Sequence, residues 1–161
     1  MAFQGVDPVR VETISNVTAT LGSRDPQLGA KCTQDGKEYI FVYNGGNSDI
    51  EKGKGAVLQG GSNTAGHTCT VSSASGADFL VGVCEHATLT TGTYGWLLQK
   101  GLVTVEMEAG SSGVTGALLA LAADGEFAFR SASTGFAGPV VGKLMESAAS
   151  GASALAYVSV Y

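Results

Sequence analysis

Charge is scarce in this chain. Only 14% of its residues are Asp, Glu, Lys or Arg, against about 25% in an ordinary soluble domain. Hydrophobicity has not fallen with it. At 44% apolar the chain has material for a core, whereas disorder needs low hydrophobicity and high charge. Cations are scarcer still: nine are scattered along the chain against fourteen acids, for a net charge of -5. Nucleic acid and anionic membrane call for clustered Lys and Arg, so neither is expected as a partner. No apolar run approaches the ~18–20 residues of a spanning helix. Residues 1–7, MAFQGVD, lack the basic and apolar regions of a secretory leader, so synthesis and assembly in a cytoplasm are expected. The three cysteines form no dense framework and fit a reducing compartment.

Catalytic signatures are missing as well. The sequence holds no nucleophile elbow, Walker loop or dinucleotide fingerprint. Gly53-Lys54-Gly55 and Gly60-Gly61-Ser62-Asn63-Thr64 resemble phosphate cradles, but neither ends in Gly-Lys-Ser/Thr or leads into a helix. The sequence therefore predicts no enzyme, no catalytic residue, no cofactor and no metal.

Glycine is abundant, with 24 residues, roughly twice the usual ~7% share. A chain of 161 residues suits one domain, and a domain of this size buries about 70% of its unfolded surface. With so few charges, the surface must be dressed in Ser, Thr, Ala and Gly, which tolerate close approach by other protein.

The text divides into an extended N-terminal arm, 1–36, and a β domain, 37–161. In the arm, Val9, Val11 and Thr13 alternate with Arg10, Glu12 and Ile14, the period-two pattern of a half-exposed strand. The turn-rich Gly22-Ser23-Arg24-Asp25-Pro26 follows. Two readings are open, a frayed terminus or a segment that orders on a partner, and the alternation favours the second.

Beyond residue 36, apolar segments recur about every ten residues: 39–43, 55–58, 68–71, 79–83, 95–98, 102–106, 117–121, 126–130, 140–145 and 154–161. Gly, Ser or Asn separates them, as in Asn44-Gly45-Gly46-Asn47. This spacing predicts an all-β fold, a small sandwich or barrel (jelly-roll or β-tulip-like) of short strands. The Ala/Leu-rich stretch 116–123 and the stretch 143–149 are long enough for two helical turns, but flanking glycine favours strand or loop.

Three constellations carry possible chemistry. The pairs Asp49/Glu51, Glu106/Glu108 and Asp124/Glu126 each project from one strand face, as a glycosidase pair or cation site would, or as solvated edges that discourage aggregation. His67, Cys69, Cys84 and His86 form a zinc-like set if their two strands pair as a hairpin. A Cys69–Cys84 disulfide or two buried free thiols are the other readings of the same residues. Tyr94 and Trp96 share a strand face, as core or as the anchor of an oligomer interface. A surface rich in small residues together with that anchor predicts a homo-oligomer, a trimer favoured over a dimer.

The stretch Asp35-Gly36-Lys37-Glu38-Tyr39-Ile40-Phe41-Val42-Tyr43-Asn44, preceded by Leu21-Gly22-Ser23-Arg24, resembles the opening of small capsid decoration (cement) proteins of tailed bacteriophages. Gly92-Thr93-Tyr94-Gly95-Trp96-Leu97-Leu98-Gln99-Lys100-Gly101 looks like that family's strand-turn-strand. Residues 140–145 look like its penultimate strand. The likeness spans 21–161, with Lys54-Gly55-Ala56-Val57 in place of a short acidic strand. It implies a non-enzymatic virion protein on the outer surface of the head, a symmetric oligomer that reinforces contacts between capsomers of the major capsid protein. On that reading residues 9–14 are the capsid-binding arm. A carbohydrate-binding or adhesive β domain is the alternative, with Tyr43, Asn44 and Asn47 as its candidate cluster.

Overall fold

The computed structural model describes residues 12–13, 28–59, 67–71, 79–130 and 139–160. Among them are eleven strands and a single three-residue 3-10 turn at Ala123–Gly125. The fold is all-β, as the turn spacing predicts.

The strand β3 (Lys37–Asn44) forms a closed five-stranded ring with β4 (Gly55–Leu58), β5 (Thr68–Val71), β6 (Leu80–Val83) and β7 (Thr93–Glu106). The pairing order is β3-β5-β4-β6-β7 and back to β3. Only β3 and β5 run parallel, so the barrel is mixed. A barrel of five strands has a narrow lumen, and its inward residues are correspondingly modest in size. Ile40, Val42, Ala56, Cys69, Val81 and Leu97 fill it. Aromatics cannot fit there, so Tyr39 and Phe41 point outward from β3 while their neighbours point in. Gly82 lets β6 cross close to β7, since a Cβ there would lie 2.7 Å from the Leu97 Cβ.

The second half of β7 leaves the barrel. It pairs with β11 (Ser153–Ser159), which pairs with β10 (Gly142–Leu144), then β8 (Leu118–Leu121) and β9 (Phe127–Phe129). A bridge between Met107 and Phe127 brings β9 back to the end of β7. Two strand systems thus share one long strand.

The sharing depends on a bulge. Glu38 faces Lys100 and Tyr39 faces Leu98, so Gln99 is an extra residue on β7. One inserted residue reverses which side chains face which side. Before it, Trp96 and Leu98 enter the main core; after it, Val103 and Val105 do. The outer face of the barrel and the inner face of the second sheet therefore form one continuous core. The two strands expected at 95–98 and 102–106 are a single strand of 14 residues, because a bulge, not a turn, separates them.

β2 (Lys31–Gln34) forms a hairpin with β3 through Asp35 and Gly36, both at positive φ, as a two-residue primed turn requires. Residues 28–36, placed in the arm from sequence, thus join the sheet, and Leu28 and Ala30 pack on the core. The stretch 116–123 carries β8, and 143–149 carries the end of β10 and a turn.

Candidate functional site

β7 is the element on which the sequence-derived candidates converge. Trp96 is buried, and its ring lies 5.1 Å from that of Phe41 on the facing strand. Tyr94 is half-buried between Phe41 at 6.1 Å and Tyr43 at 4.8 Å. Trp96 is thus a core residue, and Tyr94 the outer end of the same aromatic stripe. β3 occupies one edge of β7 here. The other edge receives β1 (Glu12–Thr13), with Glu12 opposite Tyr94 and Thr13 opposite Thr93. β6 meets that edge at Leu98. Of the expected arm, Glu12 and Thr13 therefore lie as backbone along the Tyr94 end of β7. Val9, Arg10, Val11 and Ile14 lie outside the described residues.

The carboxylates gather elsewhere. Asp49, Glu51, Asp124 and Glu126 line one open groove of about 480 Å³, together with Asn47, Thr70 and Lys54. Lys54 bridges Glu51 at 3.0 Å and Glu126 at 3.9 Å. Burial opposes charge on this lysine, but the bond to Glu51 and the charges of Glu106, Glu51 and Glu126 outweigh it, so its pKa is raised. Burial also raises the Glu126 carboxyl; Lys54 partly offsets this, and Glu106, Asp124 and Glu108 add to it. Asp49 accepts a bond from the Thr91 N–H at 2.8 Å and so anchors a loop. The groove is a carboxylate-rich cluster in which Lys54 offsets part of the negative charge.

The zinc arrangement required β5 and β6 to be paired. β4 lies between them, because the ring closes through it, so that hairpin does not form. Cys69 and Cys84 are buried free thiols in the barrel interior, and burial pushes them up to about 12 and about 11. The histidines diverge. His67 lies over Gly29, where a Cβ would come within 2.4 Å of the ring. His86 stacks on Tyr39 with centroids 6.0 Å apart. No group of three or more His, Cys, Asp or Glu able to hold a metal occurs among the described residues.

The sequence reading missed a polar tie at the barrel rim. Glu85 accepts bonds from the Lys37 ammonium and, at 2.6 Å, from the Tyr39 hydroxyl. It joins the loop after β6 to β3. Burial first, then the bond to and charge of Glu85, hold the Tyr39 phenol far above its ordinary pKa. The cluster suggested for sugar binding is also internal in part. Asn44 is fully buried; its amide donates to Ser48 O and Leu89 O, and its oxygen accepts from Gly46 N. Asn44 closes a turn and offers no free amide.

No protein-family model and no curated protein matches the sequence. Among solved structures, the fold is similar to the head fiber gp8.5 N base of bacteriophage phi29, with a TM-score of 0.50 at 16% identity. The match covers 75% of this chain and 92% of that one. At that identity the likeness is one of fold: nearly the whole phi29 base has its counterpart in this all-β architecture.

Proposed function

We propose that this chain is a structural protein of a tailed-phage head, a decoration or cement protein on the outer surface that stabilises contacts between capsomers of the major capsid protein. The observation that carries this reading is the likeness to a phage head fiber base over 92% of that base, joined to the sequence resemblance to phage cement proteins. The chain's chemistry is in keeping with it. Charge is low, Lys54 bridges two of the carboxylates in the groove, and Cys69 and Cys84 are core residues. The protein acts by covering surface, as a homo-oligomer, with no cofactor and no catalytic step. The sugar-binding alternative loses the central member of its cluster to the core, since Asn44 is committed to backbone.

The arm is the part proposed to reach the shell. Residues 9–14, of which Glu12 and Thr13 already lie along β7, add as a strand to an edge of the major capsid protein, where backbone pairing supplies affinity and alternate side chains supply specificity. Because ordering costs roughly 1–2 kcal/mol per residue, one arm binds weakly, and several presented together gain through effective concentration.

The test is to co-express the chain with the major capsid protein from the same genome and to sediment the assembled shells. Co-sedimentation at fixed stoichiometry, with added density on the outside of the shell by electron microscopy, is the expected result. Bare shells at saturating protein would sink the proposal.

A further inference from the structure

The outer face of the sheet β7–β11–β10–β8 is apolar at its centre and has nothing packed on it among the described residues. Register sets Leu102, Tyr157, Lys143 and Leu118 side by side across the four strands. The three apolar members are 43%, 38% and 45% exposed. In the next rank Thr104 faces Leu155, and Met145, 47% exposed, bonds to the Leu155 carbonyl. Two adjacent ranks, apolar but for Lys143 and Thr104, make a patch of the kind that marks a protein interface when polar residues rim it.

The pattern along the strands indicates the occupant. The outward residues of β11 run Ser153, Leu155, Tyr157, Ser159, polar at both ends and apolar between. Those of β7 run Lys100, Leu102, Thr104, Glu106, with a base at one end and an acid at the other. A half-turn about an axis lying across the strands, between the two ranks, maps this face onto itself. Tyr157 then meets Leu155 of the second copy, and Lys100 meets its Glu106. Rotation about an axis along the strands would instead keep the two lysine-bearing ranks, those of Lys100 and Lys143, together.

We propose that this face is a self-complementary two-fold interface and that its occupant is a second copy of this chain. Lys100 has an internal partner in Glu38 at 3.4 Å, with both side chains about half exposed, and Glu106 is partly exposed within electrostatic reach of Lys54, so each charge is shared between its internal neighbour and the second copy. An interface of this isologous type joins two copies. It therefore favours a pair over the trimer expected from composition. It does not depend on shell binding.

The test is sedimentation equilibrium of the full chain and three variants, K100E, E106K and Tyr157→Asp, after their melting temperatures have been measured. The wild type should pair with rising concentration. K100E alone presents acid to acid and E106K alone base to base, so each should self-associate at least tenfold more weakly. An equimolar mixture of the two should pair again, because each supplies what the other lacks. Tyr157→Asp should stay monomeric while still melting as a cooperatively folded protein. Where either charge variant fails to fold, Leu102→Asp at its exposed site takes its place and should likewise be monomeric. A wild type that remains monomeric at several hundred micromolar, a trimer that Tyr157→Asp leaves intact, or a mixture no tighter than its components would overturn the proposal.

Discussion

Phe41 and Trp96 stand opposite each other on β3 and β7, with ring centroids 5.1 Å apart and planes inclined by 53°. Both rings lie outside the barrel lumen yet are almost fully buried. They are covered because the bulge at Gln99 turns the second half of β7 so that its core face continues theirs. The pair marks where two strand systems become one hydrophobic core.

Trp96→Ala is expected to cost about 3–5 kcal/mol of folding stability, the range for truncating a buried aromatic. Tyr94→Ala, at the half-exposed end of the stripe, should cost clearly less. Urea unfolding of both variants checks the order, and equal losses would count against the placement of Trp96 in the shared core.

Gly82→Ala should destabilise by about 1–3 kcal/mol through overpacking. The added Cβ would lie 2.7 Å from the Leu97 Cβ and 2.9 Å from the Leu98 carbonyl oxygen. Both atoms belong to a strand that cannot give way without opening the barrel. A variant as stable as the parent would show that β6 and β7 are further apart than described.

Cys69 and Cys84 should resist thiol reagents in the native state at pH 8, while Cys32, less deeply buried, reacts first. Their pKa values are raised from an ordinary 9 to about 12 and about 11 by burial. In the unfolded chain they ionise near 9, so the unfolded state releases protons that the folded state retains. Stability from this source is therefore complete below pH 9 and is lost as pH rises from 9 towards 12. Unfolding midpoints at pH 8 and pH 10.5, compared with the C69A/C84A variant, test the slope. The variant should show a flatter dependence.

Glu85→Ala removes the acceptor shared by Lys37 and Tyr39. Because Lys37 is partly solvated, at 28% exposure, the loss should be nearer 1–2 kcal/mol than the larger cost of breaking a fully buried pair. The Tyr39 phenol should also titrate at lower pH in the variant, since the bond to and charge of Glu85 help hold it up. Ultraviolet titration of tyrosine reads this directly.

Deleting residues 2–16 should leave the barrel folded, because β1 contributes two paired residues among those described, while shell binding falls sharply. A truncated protein that decorates shells as tightly as the full chain would place the contact in the β core.

The sequence alone determined what is local. Alternation and the ten-residue rhythm of Gly, Ser and Asn made the chain all-β, since strand and turn chemistry depend on neighbours along the chain. The same text carried the Asp35-Gly36 hairpin, but Lys31, Cys32, Thr33 and Gln34 lack the hydrophobic alternation that would have declared a strand before it. Tertiary structure decided what depends on partners. No spacing rule reveals that β4 separates β5 from β6, which sends Cys69 and Cys84 into a lumen and His67 and His86 apart. Nor could the sequence show that Gln99 is a bulge and not a turn, because only pairing with Glu38 and Tyr39 distinguishes them. The carboxylate pairs 49/51 and 124/126 met across a groove around Lys54 for the same reason: their chain separation is long, and the closing of the sheet brought them together.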